Sequence, residues 1–129
     1  MQQVQETLDI VQSCSSSAST LPIWCMIETP RGVLNADAIA STGGVECLVM
    51  GTADLTKDMH ANHTPERTPM LYSLSRVLLS ARAHGLAALD GVHLDLGSDD
   101  DTFRRVCQQG QCQIHVFRLP LGHPYNYTL

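Results

Sequence analysis

The chain has 129 residues, of which 43% are hydrophobic and 16% charged, and it carries a net charge of −5. That length holds one hydrophobic core and excludes two independent domains. The acids cluster at 95–101, and this acidic balance argues against nucleic acid or an anionic membrane as the main partner, because both demand concentrated Lys and Arg.

In chain order, Val4, Leu8 and Val11 repeat at helical spacing and predict an amphipathic helix over 2–13. The Ser-rich stretch 13–20 reads as a flexible link. Ile23–Ile27 predicts a first buried strand. A turn at Thr29-Pro30-Arg31-Gly32 leads into a short helix lined by Val33, Leu34, Ala38 and Ile39, which Thr42-Gly43-Gly44 stops. Glu46–Met50 predicts a second strand, followed by Gly51-Thr52-Ala53-Asp54 and an aperiodic polar loop over 56–69. Leu71, Leu74, Val77, Leu78 and Ala81 predict the best helix of the chain, over about 69–84, with Gly85 as its left-handed cap. A third strand begins at Leu86–Leu89, with His93 as its outer limit. An acidic turn over 95–101 then precedes a helix at Thr102–Gln109, with Asp99–Asp101 at its positive amino end.

This alternation predicts an α/β protein with about three parallel strands and right-handed crossovers. Aromatic residues are scarce, so the core must come from Leu, Val, Ile, Met and Ala. The five cysteines are an odd set, and Cys25 and Cys47 fall inside strands, so they read as reduced thiols rather than a disulfide framework. No apolar run approaches the ~20 residues of a membrane span. The amino terminus lacks the pattern of a signal peptide. The expected location is the cytoplasm, or the mitochondrion if a presequence lies upstream of Met1.

Two acids stand at the carboxyl ends of neighbouring predicted strands: Glu28 just after the first, Asp54 shortly after the second. Paired carboxylates in that position suit an oxygen-ligated metal in a parallel α/β protein. Structural readings stand beside this one. Glu28 pairs with Arg31 or caps the next helix; Asp54 caps a helix starting at Leu55. Asp90 reads as a buried acid satisfied by backbone or a neighbouring Arg rather than as a catalyst, and Asp58 as a solvated loop acid. His60 and His63 have a spacing compatible with a metal pair on a helix but sit in a polar loop without a third ligand, and Cys107, Cys112, His115 and His123 fit no common zinc site well in their spacing. No Gly-x-Ser-x-Gly, P-loop or dinucleotide fingerprint is present.

Three stretches, IETPRGVLNADAIAS, VECLVMGTADLTKDM and LSRVLLSARAHGLAALDGVHLDL, together resemble the HpcH/HpaI aldolase and citrate lyase beta-subunit family. The likeness is closest to its malyl-CoA and citramalyl-CoA enzymes. It implies the later half of a (β/α)8 TIM barrel, a partial barrel domain over 1–106, and a divergent tail over 107–129. It further implies Mg²⁺, or Mn²⁺ in its place, on Glu28 and Asp54, with Gly51, Thr52 and Ala53 beside the substrate. The implied reaction makes or breaks a carbon–carbon bond between an acyl-CoA and a 2-oxo acid. Other outcomes stay open: a non-catalytic fragment or isoform that assembles with a full-length relative, and a metal-dependent aldolase that releases pyruvate. Half a barrel leaves sheet edges and an inner face to cover, so the resemblance also implies a homo-oligomer or a partner-dependent chain.

Overall fold

Pro30 lacks an amide hydrogen and Gly44 has a positive φ of 91°, and these two residues mark where β-structure stops and restarts. A computed structural model describes residues 5–7, 9, 10, 13, 21–92 and 100–113. The described residues of the first stretch are helical. The remainder runs β1 (Ile23–Ile27), α1 (Pro30–Leu34), α2 (Ala36–Ala40), β2 (Val45–Met50), α3 (Thr52–Asp58), a 3₁₀ turn (Thr68–Met70), α4 (Leu71–Ala83), β3 (Ala87–Leu89) and α5 (Asp100–Gln113).

The three strands form one parallel sheet in the order β1-β2-β3. Trp24 pairs with Cys47 and Cys47 with Ala87; Cys25 pairs with Leu48 and Leu48 with Ala88. Side chains alternate between faces along each strand, so this register sorts them. Cys25, Ile27, Leu48, Met50 and Ala88 fall on one face and join the core with Val33, Ala36, Ala40, Leu74, Val77 and Ala81 from the helices. Trp24, Met26, Cys47, Val49, Ala87 and Leu89 fall on the other.

The helices follow from local chemistry. Thr29 is extended and caps α1, its Oγ1 accepting from the Gly32 N–H at 3.1 Å. The single helix expected over Val33–Ile39 is two short ones, because Asn35 (φ −98°, ψ 8°) interrupts it. In α4, Ser73, Leu74, Val77, Ser80 and Ala81 make the buried stripe. Gly85 (φ 70°) closes this helix: Leu86 N–H reaches Ala81 O at 2.8 Å and Gly85 N–H reaches Arg82 O at 3.2 Å. The expected loop over 56–69 begins later than predicted, since α3 occupies Thr52–Asp58. α3 buries Thr52, Leu55 and Thr56, a spacing too short to register as periodic. The third strand is confined to Ala87–Leu89, and the predicted extension to His93 reaches residues outside those described.

Candidate active site at the carboxyl ends of the strands

The last hydrogen bond of the β1–β2 ladder runs from Gly51 N–H to Ile27 O at 2.9 Å, which brings the end of β2 beside Glu28. Gly51 has no Cβ, and one placed there would collide with the Glu28 Cβ, lie 3.1 Å from its Oε2 and 3.3 Å from its Cα. The Glu28 side chain therefore lies over Gly51, and only glycine leaves it that path. Gly32 does a smaller service, since a Cβ there would stand 3.2 Å from the capping Thr29 Oγ1.

Asp54 lies inside the first turn of α3, which starts at Thr52 with Gly51 as its amino-terminal flank. It does not cap a helix at Leu55. Thr29, not Glu28, caps α1. Among the described residues the side chains of Glu28 and Asp54 make no hydrogen bond or ion pair, so the alternative Glu28–Arg31 pair does not form. Glu28 is half-buried and Asp54 exposed; Thr52 is buried and Ala53 half-buried.

Asp90 immediately follows β3. Arg67 Nη1 donates to both of its carboxylate oxygens at 2.7 Å, and the Gly91 N–H donates to Oδ1 at 2.7 Å. The reading of Asp90 as an acid satisfied by an arginine and backbone holds. Arg67 Nε donates to Gln109 Oε1 at 3.1 Å, and Gln109 Nε2 to Glu66 O at 2.7 Å, which ties α5 to this corner. Arg67 sits in the left-handed region (φ 53°), a conformation an isolated arginine avoids. Its Nη2 is buried without a hydrogen-bond partner among the described residues. Sequence reading missed Arg67 and Gln109, since a lone Arg in a polar loop and a Gln near a helix end carry no local signal.

Other expected features separate from this corner. His60 and His63 are exposed, and no group of three or more His, Cys, Asp or Glu among the described residues could enclose a metal. His115 and His123 lie outside the described residues. Burial pushes the Cys25 thiol up; Cys47 is pushed up by burial and then by its neighbour Cys25. An open pocket of about 440 Å³, lined by Pro30, Arg31, Leu34, Asn35 and Asp58, lies beside α1 and α3. No described helix is long and apolar enough to cross a membrane.

Two carboxylates without other partners among the described residues are chemically suited to a hard cation that keeps water and substrate oxygens in its remaining positions. The residues present fit Mg²⁺ in that sense.

Parallel strands with acids at their carboxyl ends and helices on one face are the arrangement of a segment of an α/β barrel. A family model described as HpcH/HpaI aldolase/citrate lyase matches residues 1–115, and the chain belongs to that family. It is 39% identical over 101 residues to a (3S)-malyl-CoA thioesterase of Cereibacter sphaeroides, covering 78% of this chain and 35% of the relative. A citrate lyase subunit beta-like protein of Deinococcus radiodurans is 35% identical, covering 93% of this chain and 44% of that protein. Among solved structures, RipC from Yersinia pestis superposes with a TM-score of 0.68 at 23% identity, covering 84% of this chain and 50% of that one. The citrate synthase SbnG does so with a TM-score of 0.53 at 19% identity, covering 92% and 43%. The fold is thus part of a TIM barrel, and the chain spans less than half the length of these two curated relatives.

Proposed function

We propose that this chain carries the metal-binding part of a carbon–carbon lyase of the citrate lyase beta-subunit type. Its substrate would be a 3-hydroxyacyl-CoA such as malyl-CoA or citramalyl-CoA, with a 2-oxo acid as the second partner. One observation carries the reading: two unpartnered carboxylates, Glu28 and Asp54, at the carboxyl ends of adjacent parallel strands, with Glu28 laid over Gly51. These two residues would hold Mg²⁺, with Mn²⁺ as its substitute. When bound, the cation supplies positive charge to the carboxylate and neighbouring oxygen of the oxo acid. The backbone of Gly51, Thr52 and Ala53 would lie beside the substrate, and the Gly51 N–H is engaged by Ile27 O. The partial barrel domain over 1–106, with a tail over 107–129 divergent in sequence, belongs to the same proposal.

Mn²⁺ titration tests this. Glu28→Gln or Asp54→Asn each weaken binding at least about tenfold; unchanged binding in both variants removes the site. A hydrolytic reading stands beside the lyase because of the 39% identical thioesterase. Malyl-CoA separates them by product: glyoxylate and acetyl-CoA from the lyase, malate and free CoA from hydrolysis.

The exposed Trp24 and Met26 favour partner dependence. In this reading the chain acts with further barrel strands from another copy or a full-length relative. It has no turnover alone, and a rate alone near that of a full-length enzyme would remove the reading.

A further inference from the structure

We infer that Gly91 is a positioning residue for the acids of the candidate metal site. By leaving room for Thr52 it fixes where α3 begins, and so where Asp54 stands. The inference rests on the proposed metal role of Glu28 and Asp54.

Gly91 follows Asp90 at the end of β3, and Thr52 is the first residue of the helix that leaves β2. The two meet across the sheet. A Cβ on Gly91 would collide with Thr52 Oγ1 and lie 2.7 Å from its Cγ2 and 2.9 Å from its Cβ, well inside contact distance. One of the two elements would have to move, and the hydrogen bonds indicate which is held more firmly.

The Gly91 side is braced. Its N–H is bound by Asp90 Oδ1 at 2.7 Å, that carboxylate is gripped by Arg67 Nη1, and Arg67 is fixed in turn by Gln109 on α5. Gly110 of α5 leaves no slack, for a Cβ there would stand 3.1 Å from Asp90 Oδ2. The Thr52 side hangs on a short helix whose amino-terminal flank, Gly51, makes no side-chain cap. The helix is anchored by Gly51 N–H on Ile27 O at 2.9 Å and by buried Leu55 and Thr56, whereas the Thr52 side chain itself makes no hydrogen bond among the described residues. The charge-assisted bonds that hold Asp90 make the Thr52 side chain and its helical turn the part expected to yield to a methyl group on Gly91.

Both acids are sensitive to that displacement. Asp54 shares the first helical turn with Thr52 and moves as a body with it. Gly51, directly bonded to Thr52, is the surface over which Glu28 lies. One glycine thus sets the position of two carboxylates it does not touch. This gives a purpose to the Asp-Gly pair at 90–91 that burial alone does not.

The test is Mn²⁺ binding to the full chain, read as loss of the free-ion electron paramagnetic signal, with thermal unfolding measured on the same samples. Gly91→Ala is expected to fold and to bind Mn²⁺ about tenfold more weakly or worse, as for other residues that orient metal ligands. Moving the bulk across the gap, in Gly91→Ala with Thr52→Gly, is expected to return affinity to within about threefold of the parent chain, because contacting residues do not add independently. Unchanged binding in Gly91→Ala overturns the inference, and so does a double variant whose losses simply add. If Gly91→Ala does not fold, Thr52→Ala decides, since it empties the seat without a clash. Several-fold weaker binding in a folded protein supports positioning, and unchanged binding overturns it. Glu28→Gln and Asp54→Asn are run alongside. If neither weakens Mn²⁺ binding, the metal reading falls and the positioning role with it. If both do and the Gly91 and Thr52 variants do not, only the positioning role falls.

Discussion

On the helix-covered face of the sheet, Cys25, Ile27, Leu48, Met50 and Ala88 pack against α1, α2 and α4, and Leu48 is 0% exposed. On the opposite face of the same strands, Trp24 is 61% and Met26 59% exposed, while Cys47 in the central strand is closed over at 1%. Both faces are apolar. That is the composition of a parallel sheet meant to be covered on both sides, unlike the polar–apolar alternation of a sheet with one wet face. The difference teaches that residue type alone does not finish a face: one set of apolar side chains has its partners, and at the β1 edge the other does not.

Leu48→Ala should show the largest effect. Truncation at the centre of the packed face costs about 2–5 kcal/mol, whereas Trp24→Ala in the chain alone costs about 0.5 kcal/mol. Urea unfolding of both variants measures the gap. If Trp24→Ala proved as costly as Leu48→Ala, the second face would be packed after all.

A middle-sized effect is expected at the rim. Arg67→Ala strands the Asp90 carboxylate with only the Gly91 N–H. Breaking a fully buried pair costs about 3–5 kcal/mol, but here the side chains keep 15% and 19% of their exposure, which lowers the expected loss to about 1–3 kcal/mol. The same denaturation measurement checks it, and a loss below about 0.5 kcal/mol would make the pair a surface contact.

The smallest effect is kinetic and concerns the thiols. The thiolate is the reactive form, so a thiol pushed up by burial has less of it at any given pH and reacts more slowly. Iodoacetamide near neutral pH should modify exposed Cys107 before Cys25 or Cys47, as followed by peptide mass spectrometry. The raised thiols of Cys25 and Cys47 should gain reactivity only at a more alkaline pH than an ordinary thiol requires. Cys47 sharpens the contrast between faces: if it reacts as fast as Cys107, the uncovered face is open at its centre as well as at its edge.

Much of this was legible from residues alone. Ile23–Ile27 has the predicted limits, and β2 gains only Val45, because short apolar runs between turn residues have one reading in an alternating chain. The main helix was visible in its stripe and in Gly85. Helix α3 entered only as an alternative starting at Leu55, three residues late, because seven residues with three buried positions lie below the length at which periodicity speaks. The break at Asn35 depends on backbone angles that no pattern encodes. At the candidate site the two acids could be named from their places after strands, but the collisions that Gly51 and Gly91 avoid exist only once chain segments meet. Asp90 was read with its kind of partner; that the partner is Arg67 is a fact of topology.

The order β1-β2-β3 also has a consequence in time. The register of Trp24 on Cys47 closes a shorter loop than that of Cys47 on Ala87, and shorter loops lose less entropy on closure. β1 and β2 therefore meet first during folding, bringing Glu28 to Gly51 while β3 is still absent. Gly91 arrives with the last strand. A nascent chain has both acids just beyond neighbouring strands before it has the surface that registers one against the other, so mature geometry at the strand ends is a late event.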